Sequence, residues 1–200
     1  MQRARFSKED FEDVYAVARM AHLGQKRRSG EDYFSHPSEV RNLVRKYYPS
    51  DQQAQLVALL HDTLEDAPTV GTVSSKEEMR AWIMSSVADP HAATEILDAV
   101  EALTHEKSGP RYDVYVSSLL DNTLALRVKL LDMLHNLSTG PSSKQVKKYA
   151  NALETLEDIA GGQPNGISRE HWTDLKNIVA SLMEGDIHQI RLLVQELLLE

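Results

Sequence analysis

Cysteine is absent from the 200-residue chain, so disulfides and thiolate metal sites are excluded and any bound metal must rely on imidazole, carboxylate or main-chain donors. That absence fits a reducing compartment such as the cytoplasm. Long apolar runs are missing too. Met1 to Phe6 lacks the apolar core of a secretion signal, and no stretch approaches the roughly 18 residues of a membrane span. Positive charge is in short supply: 22 Lys and Arg stand against 30 Asp and Glu, a formal net charge of −8. A nucleic-acid backbone demands a basic surface, so nucleic acid is excluded as the main partner, and an anionic substrate would have to meet a local basic cluster or a metal. Period-two alternation is absent as well, which removes the sheet classes and predicts an all-α fold. No low-complexity tract occurs, and 42% hydrophobic with 26% charged residues is ordinary globular composition, enough for a single domain over 1–200.

What is present is a succession of amphipathic helices. Ser7-Lys8-Glu9-Asp10 reads as an N-cap with an acidic N3, and Phe11, Val14, Tyr15, Ala18, Ala21 and His22 repeat at helical spacing until Gly24. Gln25 to Tyr33 is polar, basic and without period, a surface loop carrying Lys26, Arg27 and Arg28, the densest positive charge in the chain. His36-Pro37 opens a second helix, Ser50-Asp51-Gln52-Gln53 a third, Ser75 a fourth and Asp89-Pro90 a fifth. Tyr112 to Leu120, Leu124 to Leu137 and Val146 to Ile159 follow. After the Gly161 to Gly166 connection come two more helices, Trp172 to Met183 and Ile187 to Leu198. Residues 167–200 carry no evident chemistry and would either cap the core or form a homodimer surface.

The stretch Ala58-Leu59-Leu60-His61-Asp62-Thr63-Leu64-Glu65-Asp66 joins an apolar run to an imidazole and three carboxylates. On a continuous helix these four polar side chains would share one face, a costly arrangement beside leucines unless a cation compensates the charge. The bland alternative is a solvated acidic helix end. Two further segments offer ligand types: His36, and Asp132 with Asn136 one turn later on a strongly apolar helix. Together, His36, His61, Asp62 and Asp132 supply two imidazoles and two carboxylates, a set suited to a divalent ion such as Mn²⁺, Fe²⁺ or Zn²⁺. His22, His91, His105, His135, His171 and His188 lack such a context and read as structural or surface residues.

His36, His61-Asp62 and Asp132, with the words His22-Leu23-Gly24-Gln25, Arg27-Arg28-Ser29-Gly30-Glu31, Tyr33-Phe34-Ser35-His36-Pro37 and Lys129-Leu130-Leu131-Asp132-Met133-Leu134-His135-Asn136, resemble the HD-domain metal-dependent phosphohydrolases. More narrowly, they resemble the hydrolase domain of the RelA/SpoT alarmone enzymes and the single-domain small alarmone hydrolases. The resemblance runs over roughly residues 10 to 160 and implies a compact helical bundle of about eight to ten helices. It implies Mn²⁺ held by His36, His61, Asp62 and Asp132, and an acidic pair, Glu65 and Asp66, that activates the attacking water. It implies nucleotide contacts from Arg27, Arg28, Ser29, Asn136 and Thr139. Because the chain stops where a synthetase domain would begin, hydrolysis of guanosine tetra- or pentaphosphate without synthesis is the expected activity. Adenosine alarmones or NADPH are alternative substrates for the same site, and a catalytically inactive nucleotide-binding module is the non-enzymatic alternative. Leu131 and Met133 depart from the Ala-Asp-Arg-Leu-His-Asn that family members often carry around the ligand Asp.

Overall fold

A computed structural model describes residues 6–65, 75–106, 108–185 and 187–198. Among them are ten α-helices and no strand, apart from an isolated antiparallel bridge between Lys26 and Asp32, so the fold is all-α. None of these helices is long and apolar enough to cross a membrane. The chain divides into two compact units, 1–107 and 108–200.

The first unit contains α1 (Lys8–Ala21), α2 (Ser35–Tyr47), α3 (Gln52–Leu60), α4 (Lys76–Ser85) and α5 (Pro90–Leu103). The capping box expected at Ser7 is formed: the Ser7 hydroxyl accepts from the Asp10 N–H at 3.1 Å, and the Asp10 carboxylate accepts from the Ser7 N–H at 2.7 Å. At α3 the cap is Asp51, whose carboxylate accepts from the Ala54 N–H at 3.0 Å, one residue later than the Ser50 pattern suggested. Pro37 lies not at the first position of α2 but in its first turn, after Ser35 and His36. Its missing N–H still falls among the donors that a helix start leaves unpaired. Every residue of α3 from Ala54 to Leu60 is buried. A helix apolar on all sides belongs inside, and α3 packs against α1, α2 and α5.

The second unit contains α6 (Tyr112–Ser118), a 3₁₀ turn (Leu119–Asp121), α7 (Thr123–Ser138), α8 (Ser143–Ala160), α9 (Arg169–Glu184) and α10 (Ile187–Leu198). Here α9 packs on α7, α8 and α10, and α6 lies along α8. His171 on α9 is fully buried, and that burial pushes its imidazole down to about 3 from an ordinary 6.5. A hydrogen bond with the Leu130 backbone works in the opposite direction, and the Arg127 charge adds to the depression.

A pH dependence follows. The folded-state value lies below the unfolded one, so on acidification the unfolded chain takes the proton first. The stability is therefore fully present above about pH 6.5 and is lost between there and about pH 3. The loss amounts to about 1.4 kcal/mol per pH unit. Urea midpoints should fall between pH 6.5 and 4.5, and His171→Gln should flatten that part of the profile. Parallel profiles for the two proteins would assign the acid sensitivity to other groups.

Candidate metal centre

The site is assembled in the first unit by two local breaks in helical order. The first is the junction of the basic loop with α2. The loop closes on itself through the Tyr33 N–H to the Gln25 carbonyl at 3.0 Å and the Arg27 N–H to the Glu31 carbonyl at 2.9 Å. Its end is then wound into a turn, with the His36 N–H donating to the Tyr33 carbonyl at 2.9 Å and the Ser35 hydroxyl to the Asp32 carbonyl at 2.8 Å. This turn holds His36, 3% exposed, at the foot of α2.

The second break corrects the expectation of one continuous helix through His61 and Glu65. Helix α3 ends at Leu60, residues 61 and 62 form a turn, and helical backbone resumes at 63–65. Side chains stand in at the break: His61 Nδ1 donates to the Ala58 carbonyl at 2.8 Å and the Thr63 hydroxyl to the Leu60 carbonyl at 2.7 Å. Consecutive side chains on a regular helix diverge by about 100°. The turn instead brings His61 Nε2 and Asp62 Oδ2 to 3.2 Å.

Three potential ligand atoms therefore converge. His36 Nε2 is 3.3 Å from His61 Nε2 and 3.6 Å from Asp62 Oδ2. Two donors each about 2.1 Å from one ion are separated by about 3.0 Å at a right angle and about 3.4 Å at the tetrahedral angle. The spacings match that requirement, and the donor set of two imidazoles and a carboxylate suits a divalent ion of borderline hardness. A carbonyl can only accept, so Nδ1 carries the proton of neutral His61 and Nε2 presents its lone pair to the cluster. His36, His61 and Asp62 are thus brought together as the sequence anticipated.

The remaining candidates are distributed as follows. Glu65 is exposed, and its carboxylate accepts from the His105 backbone N–H at 3.4 Å. Asp66 lies outside the described residues. Arg28 and Ser29 are exposed at the loop tip and Arg27 is half-buried, while Lys26 pairs with Asp32 across the bridge. Asp132, Asn136 and Thr139 belong to the second unit. There the Lys129 ammonium donates to Asp132 Oδ2 at 2.9 Å and the Asn136 amide donates to Oδ1 at 2.6 Å. Burial alone would discharge Lys129, but Asp132 and the nearby tyrosines hold its pKa well above the ordinary value. Thr139 ends α7, its hydroxyl donating to the His135 carbonyl at 3.2 Å. One contact was not anticipated from sequence: the Tyr33 hydroxyl donates to Asp62 Oδ2 at 2.7 Å. The only local signal for it was a tyrosine three residues before a ligand-type histidine.

No family profile matches the chain. It is, however, 34% identical over 148 residues to a guanosine-3′,5′-bis(diphosphate) 3′-pyrophosphohydrolase of Haemophilus influenzae, covering 70% of the chain and 20% of that protein. It is 31% identical over 145 residues to the bifunctional (p)ppGpp synthase/hydrolase SpoT of Escherichia coli, covering 72% of the chain and 20% of that protein. The chain is a homologue of the SpoT-type alarmone enzymes. A chloroplastic putative GTP diphosphokinase of rice is also similar, 32% identical over 155 residues, with 17% of its length covered. The chain thus spans about a fifth of the length of these SpoT-type relatives. Their names include both making and breaking of the alarmone, so a name does not say which activity the shared segment carries.

Proposed function

We propose that the chain is a Mn²⁺-dependent pyrophosphohydrolase that removes the 3′-diphosphate of guanosine tetra- or pentaphosphate, leaving GDP or GTP and pyrophosphate. The observation that carries this reading is the convergence of His36, His61 and Asp62 at 3.2 to 3.6 Å, in a chain that aligns over 72% of its length with a SpoT enzyme. A divalent ion held there supplies Lewis acidity toward a phosphate oxygen. In this reading the chain's own groups do the rest. Arg27 and Arg28 bind the diphosphate that a chain of net charge −8 would otherwise repel. Glu65, with Asp66, takes a proton from the attacking water as the bond from phosphorus to the 3′ oxygen breaks and that oxygen receives a proton. Asp132 is counted as a fourth ligand on its motif, and Asn136 and Thr139 as contacts to base and sugar.

The test is a panel of guanosine and adenosine alarmones, NADPH and common nucleotides with Mn²⁺, with products identified. Release of pyrophosphate from guanosine tetraphosphate at the highest kcat/KM is expected. Faster loss of phosphate from NADPH would transfer the site to the alternative substrate, and inertness toward the whole panel would sink the hydrolase reading. Within that assay, Arg27→Ala should raise KM by about ten-fold with a smaller fall in kcat, because the guanidinium acts mainly in ground-state binding. An unchanged KM would reduce the loop to a solvated basic turn.

A further inference from the structure

Tyr33 stands where the basic loop meets the candidate metal centre, and each part of the residue has a separate attachment. Its backbone N–H closes the loop onto the Gln25 carbonyl, and its carbonyl accepts from the His36 N–H. Its ring lies between two imidazoles, 4.8 Å from His22 at a tilt of 30° and 5.9 Å from His36 edge-on. His22 is itself held by Gln25, with Nδ1 2.8 Å from the side-chain oxygen. The braced ring leaves the hydroxyl little freedom, and it reaches Asp62 Oδ2 at 2.7 Å. A carboxylate only accepts, so the hydroxyl is the donor in a short, charge-assisted bond.

The oxygen chosen is the one that faces both imidazole nitrogens. His61 Nε2 and His36 Nε2 lie 3.2 and 3.6 Å from that oxygen, so a cation among the three atoms meets them all only while the carboxylate keeps this orientation. Asp62 is less enclosed than the histidines, its side chain 18% exposed, so packing alone leaves it room to swing toward solvent. A donor on Oδ2 occupies one lone pair and leaves the other directed at the cluster.

We propose that Tyr33 is a positioning residue, which holds the Asp62 carboxylate in ligating orientation ahead of metal binding and fixes the end of the basic loop to the same point. The inference rests on the proposed function for the identity of the ion. It goes beyond that reading in assigning the preorganisation to a residue outside the proposed ligand set and the phosphate-binding arginines.

The probe is Mn²⁺ itself, titrated into the full chain by equilibrium dialysis. Tyr33→Phe keeps the ring and removes the donor, and should weaken Mn²⁺ binding by about 10- to 100-fold, the usual effect of losing a group that orients a ligand. Turnover should recover as Mn²⁺ is raised, with nucleotide KM unchanged at saturating metal. In the Asp62→Asn background the same change should add nothing, because the carboxylate it acts through is gone. Should Tyr33→Phe melt at a lower temperature, the rise in Tm on adding Mn²⁺ still reports relative affinity. Failure of the unsubstituted protein to bind Mn²⁺ would remove the proposed metal centre and this inference with it. Binding by the unsubstituted protein and equally tight binding by Tyr33→Phe would overturn the positioning role alone. So would a loss that persists in full in the Asp62→Asn background.

Discussion

His61→Ala is expected to abolish turnover and to strip the protein of bound Mn²⁺. Its Nε2 is 3.2 Å from Asp62 Oδ2 and 3.3 Å from His36 Nε2, so removing it takes away one corner of the cluster and one of the two imidazoles. Loss of several kcal/mol of charge stabilisation at the phosphate corresponds to a rate fall of about 10³-fold or more. The same substitution has a structural side. His61 is buried, and its Nδ1 satisfies the Ala58 carbonyl at the break after α3. Leaving that carbonyl unpaired costs about 1–3 kcal/mol. Asp62→Asn separates the two effects, because Asp62 is half-buried and Asn retains its shape. It should lose metal affinity while keeping its unfolding midpoint, and excess Mn²⁺ should restore part of its rate. Asp132→Ala, measured alongside, asks whether the ligand assigned by motif binds the same ion. Full metal content and unchanged turnover in both His61→Ala and Asp62→Asn would remove the centre.

Glu65→Gln and Asp66→Asn should fail differently from the ligand variants. Both are expected to retain bound Mn²⁺ and nucleotide affinity while single-turnover rates fall by about 10²- to 10⁴-fold, the range for loss of a general acid or base. For Glu65 the placement suits the experiment. The carboxylate is exposed and accepts from the His105 N–H, and a glutamine oxygen can keep that bond while giving up the basic function. The helical break also separates the two roles: the Glu65 N–H donates to the Asp62 carbonyl at 3.2 Å, yet Asp62 belongs to the turn and Glu65 to the helical backbone that resumes after it. Metal content, nucleotide binding and single-turnover rate measured on the same preparations decide the matter. Rates equal to the unsubstituted protein in both variants would make the acidic pair a solvated helix end, even with the metal in place.

The all-α class and the order of the ten helices among the described residues could be read from the sequence because each depends on nearest-neighbour chemistry. Ser7, Ser75 and Asp89 are polar side chains that cap the helix immediately following them, and the apolar residues recur with the helical period. The ligand types His36, His61 and Asp62 were legible for a similar reason: imidazole and carboxylate in an otherwise apolar setting call for compensation wherever they end up. What the sequence could not give was the break after Leu60. Helical spacing there is as regular as before it, and the turn depends on His61 and Thr63 capturing the carbonyls of Ala58 and Leu60.

Nor could spacing show that the Tyr33 hydroxyl would reach Asp62, 29 residues away. Local propensity and periodicity act over a turn or two of chain, so they determined which side chains of cation-ligating type this protein has and which helices they lie on or beside. The distances of 3.2 to 3.6 Å among the three candidate ligand atoms, and the Tyr33 hydroxyl bonded to one of them, were decided only by how the loop closes and how α2 packs on α3.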